Sequence, residues 1–369
     1  MKVEYFKMYI RNLCKSGFHA MKALIYNNRI SQRHYPDDKL LETVQLWGNG
    51  INLNEQMKYV YGIHRSGWNY AVSSLRKLHN PYAAFLDSFI EKTFSWDEKG
   101  SPPHEYDWIG VLHIPPMVPE WLPDHLQAQY FENIRKTEKW KVSEPHCKGF
   151  FTLSQYHANY MRRMVDVPVS VLYHPTEIPE AQWNIERFEM NQEKKIVQVG
   201  WWLRNMFGIY ELPKSKYCKV FLKSRTESWF DELLKVEGEY RKKIGKLKDG
   251  MLDTVTTLSF LPNDQYDALL TENIVFINLY DTSANNAVIE CMARGTPLLV
   301  NKLPAVIEYL GPEYPLYYET YNEAIEKAHD FQLLYAASQY LKQPERRTKL
   351  TRKFFLESFL SSEVYHSIN

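Results

Sequence analysis

The chain is poor in the features that mark many protein classes. Its 369 residues hold four cysteines (Cys14, Cys147, Cys218 and Cys291), few and scattered, none in a C-x-x-C pair, which reads against a disulfide framework. The expectation is four reduced core thiols in a cytosolic protein. No apolar run nears the roughly 18 residues that a transmembrane helix needs, and no signal-peptide core is visible. Charge of one sign is missing as well. Lys+Arg total 45 and Asp+Glu 44, so bulk electrostatics gives no hold on nucleic acid. The signatures H-E-x-x-H and G-x-S-x-G are absent, as are zinc-ligand spacing and internal repeats.

What is present is concentrated in residues 271–311, TENIVFINLYDTSANNAVIECMARGTPLLVNKLPAVIEYLG. NIVFINLY, residues 273–280, is apolar and β-branched, long enough for a buried parallel strand and too short for a helix. Asp281, Thr282 and Ser283 carry helix-start chemistry, and residues 284–294 place Val288, Ile289 and Met292 at helical spacing. Gly295 and Pro297 close that helix, and PLLV reads as the next buried strand. The unit is βαβ, about thirty residues long. Its polar turn falls at the carboxyl end of a parallel strand, where open α/β sheets bind ligands. The helix that follows offers backbone N–H groups and the positive end of its dipole to a phosphate or diphosphate. Asn286 and Glu290 are four apart and share one helix face. A carboxylate a turn and a half behind an anion site suits paired ribose hydroxyls, although a surface glutamate on a core helix satisfies the same periodicity.

The string ANNAVIECMARGTPLLVN…EYLG resembles the nucleotide-sugar motif of the GT-B glycosyltransferases, in particular the large retaining family with an E-x7-E signature. There the second Glu lies in a V-x-E-A-M-A-x-G-T-P-like string. Here VIECMARGTP puts Glu290 in that place, with Gly295, Thr296 and Pro297 in register. The resemblance implies that Glu290 hydrogen-bonds the donor ribose, with Ser283, Ala284, Asn285 and Asn286 lining the donor site. The family's first Glu falls at position 282, where this chain has Thr282 beside Asp281. Those two are the candidates for contact with the transferred sugar.

Residues 1–33 hold seven Lys/Arg and one acid, Glu4, in an amphipathic helical pattern. A helix with its basic face in water explains them, and contact with anionic lipid is the functional alternative. KYVYG, residues 58–62, is strand-like, and residues from Trp68 are helical. Gly62-x4-Gly67 lacks the Lys-Ser/Thr of a P-loop. In the resembling family a loop here lines the cleft, which makes His64, Arg65 and Ser66 candidate acceptor-side residues. DWIGVLH, residues 107–113, is a buried strand with His113 at its carboxyl end. A strand-end histidine is ordinarily structural, but this one matches the cleft histidine that resembling enzymes aim at the donor sugar.

Residues 147–179 give strand, a helix starting at Ser154, and strand, which reads as the last βαβ of a first Rossmann-like domain. Polar residues 180–194 read as a connector, and IVQVG opens the second domain. After Gly200 the family has an Arg, then a Lys some six residues on; this chain has Trp201 and Phe207. Arg204 is therefore the candidate for the diphosphate, since guanidinium grips phosphate oxygens bidentately. Lys223 and Lys302 are candidates for a second cation. Leu261 and Pro262 resemble the family's loop beside the nucleotide base. Residues 341–369 are helical and basic, and in this fold the last helix crosses back to the first domain.

The expected fold class is α/β, GT-B: two Rossmann-like domains facing across a cleft. Residues 1–178 form the acceptor side with its helical arm, 179–345 the donor domain and 346–369 the returning helix. The resemblance implies transfer of a sugar from a nucleoside diphosphate sugar to an acceptor hydroxyl, glycan or lipid-linked, with retention. The leaving phosphate would accept the acceptor's proton, so no general base is required. There is no D-x-D, the metal-bridging motif of the other common nucleotide-sugar fold, so the expectation is a metal-free site with no cofactor beyond the donor. An epimerase or hydrolase acting on such a donor, and a binding protein without turnover, are the alternatives. The expected setting is cytoplasmic, with peripheral membrane contact through the basic arm as a variant.

Overall fold

The computed structural model describes residues 35–53, 65–96, 101–223, 227–247 and 250–369. The basic arm, KYVYG, Cys14 and the candidate His64 lie outside the described residues.

Two all-parallel sheets organise the chain. The first holds β1 (Phe85–Asp87), β2 (Trp108–Leu112), β3 (Cys147–Thr152) and β4 (Val169–Val171), in that spatial order. Strands covered on both faces read as unbroken apolar runs, and WIGVL of β2 is buried at every position. Alternation then divides its side chains between two cores. Trp108 and Leu112 join Phe94, Trp140 and Phe150, while Ile109 and Val111 join Trp68, Phe151 and Leu153.

The second sheet holds β5 (Lys195–Val199), β6 (Cys218–Leu222), β7 (Thr256–Leu258), β8 (Ile274–Ile277), β9 (Leu298–Asn301) and β10 (Tyr317–Tyr318). Their spatial order is β10-β9-β8-β5-β6-β7. The order reverses between β5 and β8, the switch point of a doubly wound Rossmann sheet, where a crevice forms beyond the strands' carboxyl ends. The loops leaving those two strands are tied together. Asn205 N–H donates to Asn278 O at 2.8 Å, and Tyr280 N–H to Leu203 O at 2.9 Å.

The helices that position the site are α1 (Trp68–Ser73), α2 (Gln155–Met161), α3 (Ile185–Met190), α4 (Glu227–Lys243), α5 (Asn263–Thr271), α6 (Asn286–Arg294), α7 (Pro304–Leu310) and α8 (Arg352–Leu360). Ser154 caps α2, its Oγ accepting from His157 N–H at 3.3 Å. α8 returns to the first lobe: Phe355, Leu356, Phe359 and Leu360 complete the core that holds Trp68 and Phe151. Buried Arg352 secures it, with Nη2 on Asp37 (2.5 Å) and Asp38 (2.6 Å) and Nη1 on Ser73 (3.1 Å). Among the described residues no helix is long and apolar enough to cross a membrane.

Three expectations change. Residues 180–194 are more than a connector: Asn184 caps α3, and Trp183 and Phe188 are fully buried in the second core. Two large rings outweigh the polar composition of that segment. α6 starts at Asn286, later than the pattern suggests, because Asn285 caps it instead of residues 281–283. Asn285 Oδ1 accepts from Ala287 N–H (3.1 Å) and Val288 N–H (3.3 Å). Cys218 is exposed at the start of β6, which leaves Cys147 and Cys291 as the buried thiols among the described residues.

Candidate functional site

At the switch point β5 ends in Gly200, whose φ of 76° lies in the left-handed region that favours glycine. A Cβ at that position would meet the Arg204 guanidinium at 2.9 Å, so the turn folds the arginine back over the glycine. Leu203, at φ 53°, completes the turn in a region few non-glycine residues occupy. Arg204 Nη1 donates to Trp202 O at 3.0 Å and Nη2 to Asn285 Oδ1 at 3.2 Å, which sets the guanidinium against the cap of α6. Among the described residues its Nε is buried without a partner and its guanidinium has no carboxylate ion pair. Burial lowers its pKa to about 10, with the charge of Glu290 opposing the shift. The two candidate second cations have other partners. Lys223 pairs with Asp231 at 2.9 Å, and Lys302 lies over the Tyr317 ring.

Glu290 follows on the same helix, 2% exposed, at the junction of the lobes. Ser66 of the first lobe donates to its Oε1, and Tyr266 of α5 donates to its Oε2. Burial, and then the Glu290 charge, push the Tyr266 pKa far above the ordinary phenol range, so the hydroxyl stays a donor. Asn286, expected on the same face, stands at the open end of α6 and is exposed where Glu290 is enclosed. Leu261 is partly buried and Pro262 exposed at the entry to α5, with Pro262 O accepting from Tyr266 N–H at 2.8 Å.

Arg65, next to Ser66, is engaged in a bridge between the lobes. Its Nη2 and Nε reach Asp267 at 2.7 and 3.0 Å, and its Nη1 reaches Glu177 at 2.9 Å. Arg294 holds the other oxygen of Asp267 at 2.5 Å. Burial would raise the Asp267 pKa; the Arg65 and Arg294 guanidiniums outweigh it and hold the carboxyl below its usual range.

Further along the cleft Asp281, at the end of β8, accepts from Met117 N–H (2.9 Å), Tyr156 Oη (3.2 Å) and Thr282 N–H (2.8 Å). Burial raises its pKa to about 6 against those hydrogen bonds. Thr282 is buried beside it. Ser283 is enclosed by the first lobe, with His157 Nδ1 at 3.0 Å, Ser154 Oγ at 3.3 Å and Leu153 N–H at 3.3 Å. Ala284 is partly buried against the cores of both lobes.

His113 stands at the carboxyl end of β2, its ring stacked on Phe89 (centroids 3.9 Å apart) and edge-on to Trp68 (4.5 Å). Nε2–H donates to Ser88 O at 3.0 Å, which leaves Nδ1 as the acceptor of a neutral ring. Burial lowers its pKa to about 3. Glu91 fixes the backbone behind it, Oε1 accepting from the His113 and Ile114 amides at 2.7 Å each. Glu91, Tyr266 and Asp267 were not among the sequence candidates. For the latter two the signal was a polar pair inside NDQYDALL, but Asp267 meets Arg65 across 202 positions, beyond the reach of a periodicity argument.

No family model matches this chain, and no curated protein does. Solved structures do. Trehalose-6-phosphate synthase, OtsA, is 11% identical over 91% of this chain and 83% of its own, with a TM-score of 0.51. The E. coli trehalose-6-phosphate structure bound with UDP-2-fluoro glucose is 11% identical over 91% and 84%, with a TM-score of 0.50. S. aureus TarM, solved as a mutant with Fondaparinux, alpha-GlcNAc-glycerol and UDP, is 13% identical over 72% of this chain, with a TM-score of 0.47; this chain spans 51% of its length. At 11% identity the likeness to the first two is one of architecture. The chain has the GT-B fold, two Rossmann-like domains facing each other across the cleft that holds Glu290.

Proposed function

We propose that the chain transfers a sugar from a nucleoside diphosphate sugar to an acceptor hydroxyl. One observation carries the reading. A buried carboxylate, Glu290, and a guanidinium without an acid partner among the described residues, Arg204, flank the capped end of one helix at the switch point. A pentose with hydroxyls beside an anionic linkage fits that pair. Glu290 would accept the ribose hydroxyls, which take the place of the Ser66 hydroxyl. Asn285 already satisfies two amides of the helix, so the diphosphate would rely on Arg204, the helix dipole and the Asn286 amide. Charge gathers on that diphosphate as the glycosidic bond breaks, and preorganised positive groups favour the transition state more than the ground state. Retention follows from the resemblance. The leaving phosphate would then take the acceptor's proton. Neutral His113 suits this scheme as a hydrogen-bonding group. The acceptor, glycan or lipid-linked, would enter from the first lobe, with Arg65 and Ser66 at the cleft and Asp281 and Thr282 near the transferred sugar. The neighbours' sugar-nucleotide and sugar ligands support the same class of substrate.

The test is a thermal-shift and calorimetric panel of UDP, GDP and their glucose and mannose conjugates, followed by product analysis with and without acceptor. Binding that is lost in Glu290→Gln and Arg204→Ala, with sugar released only to an acceptor, is the expected result. Unchanged nucleotide affinity in both variants would count against the reading. A second reading, sugar-nucleotide binding without transfer, is favoured by the engagement of Lys223 and Lys302 elsewhere, which leaves the diphosphate without the second cation expected for it. Tight binding with no product in any combination would select it.

A further inference from the structure

Beyond Glu290 and Arg204 the lobes meet in a second, aromatic contact. Trp121, Leu122, Leu126 and Tyr130 of the first lobe pack with Leu233 of α4 and with Trp202 and Tyr280 of the second. The Trp121 and Tyr280 rings are 5.6 Å apart, and Trp202 stands edge-on to Trp201 at 5.7 Å. This cluster adjoins the donor loops directly. Tyr280 precedes Asp281 in the chain, and Arg204 donates to the carbonyl of Trp202. Tyr280 is satisfied, its Oη donating to Glu237 at 2.6 Å. Three other polar tips are not. Trp121 Nε1, Tyr130 Oη and Trp202 Nε1 are each buried with no hydrogen-bond partner among the described residues. Native interiors leave few buried donors unpaired, so three in one small cluster shared by two lobes calls for an explanation that packing does not supply.

We propose that this cluster is a carbohydrate subsite, in which a sugar ring lies against the aromatic rings and its hydroxyls take up the three orphaned donors. A sugar offers C–H faces to aromatic rings and oxygen lone pairs to N–H and O–H groups, and the cluster provides partners for both. An apolar ligand would leave the donors unpaired. Glu237 is already paired with Arg241 at 2.9 Å, so a phosphate would find that cation engaged and would face the Asp281 carboxylate. Burial, with the charge of Asp281 adding to it, raises the Tyr130 pKa, so its hydroxyl stays a donor. Two contacts at the rim, Tyr240 to Glu120 at 2.9 Å and His125 to Glu232 at 3.6 Å, join the lobes, and the proposal requires both to part for a ring to enter. The inference rests on the transfer reading for the origin of the ring, which belongs either to the donor's sugar or to the acceptor.

Trp121→Phe, Tyr130→Phe and Trp202→Phe each remove one orphaned donor and keep an aromatic ring. The probes are UDP, UDP-glucose, GDP, GDP-mannose and maltose, followed by calorimetry, with unfolding temperature measured without ligand. The variants should bind UDP and GDP as the parent does, and unfold at the same temperature or higher. They should lose at least tenfold in affinity for a sugar nucleotide, if the donor's sugar occupies the cluster, or for maltose, if the acceptor's does. Nucleotide binding and sugar-dependent affinity both unchanged would overturn the subsite and leave the transfer reading standing. Maltose bound by the parent and weakened in the variants, with no nucleotide bound by any protein, would retain the subsite and defeat the transfer reading. No sugar-dependent binding with any probe overturns the subsite.

Discussion

Arg65 of the first lobe and Asp267 of the second fasten the cleft beside Glu290, with Nη2 at 2.7 Å and Nε at 3.0 Å from one carboxylate oxygen. The bridge is a triad, since fully buried Arg294 takes the other oxygen. Asp267→Ala leaves Arg294 as a buried cation with no carboxylate among the described residues, at a cost of about 3–5 kcal/mol. Arg65→Ala removes the more exposed arm and leaves Asp267 its other partner, so the loss should stay near about 1 kcal/mol. Urea unfolding of the two variants should rank them in that order, and equal losses would show that Arg294 is not held by Asp267.

Glu290→Ala deprives two buried hydroxyls, those of Ser66 and Tyr266, of their acceptor. A loss of about 1–3 kcal/mol is expected from the unpaired groups. Glu290→Gln keeps an oxygen for one of them and should lose less. Both should weaken nucleotide binding at least tenfold by calorimetry, which separates the site's role from the fold's.

Glu91 makes stability depend on pH. Burial raises its pKa to about 7 from an ordinary 4.5, against three backbone hydrogen bonds and with the Asp87 charge adding to the rise. Its Oε2 is buried without a partner among the described residues. The folded chain therefore holds a proton that the unfolded chain has released, and stability falls as pH rises through that window, levelling off above it. Relative to Glu91→Gln, the parent should lose on the order of 3 kcal/mol across the window. A flat difference between the two stability curves would be incompatible with a proton on Glu91.

Gly200→Ala tests the turn after β5. Its φ of 76° and the 2.9 Å approach of the guanidinium both oppose a side chain there. The substitution should destabilise by about 1–2 kcal/mol and displace Arg204. Nucleotide affinity should fall with it, while Glu290, on another element, keeps its two hydroxyl partners. Unchanged affinity would detach the turn from the donor site.

The βαβ unit around Glu290 was legible because each of its signals is local: a short β-branched strand, a helical apolar stripe, and a glycine at the helix end. The start of α6 is ambiguous for a local reason too, since three capping residues in a row, Asp281, Thr282 and Ser283, precede Ala284 and Asn285, and only side-chain geometry selects Asn285. What stayed hidden was long-range. Ser66, named only as a cleft residue, reaches Glu290 across 224 positions, and Tyr266 reaches it from a different helix. No periodicity couples such pairs. The buried rings of Trp183 and Phe188 were hidden by the charged residues between them.

The return of α8 also bears on how the chain is made. Phe355, Phe359 and Tyr365 sit beneath the sheet built from residues 85–171, so that sheet lacks part of one wall until they have been synthesised. The half translated first is finished last. During translation it must wait with an apolar flank uncovered, while the sheet of residues 195–318 is still emerging, and in that interval the nascent chain is most open to chaperone capture or to aggregation.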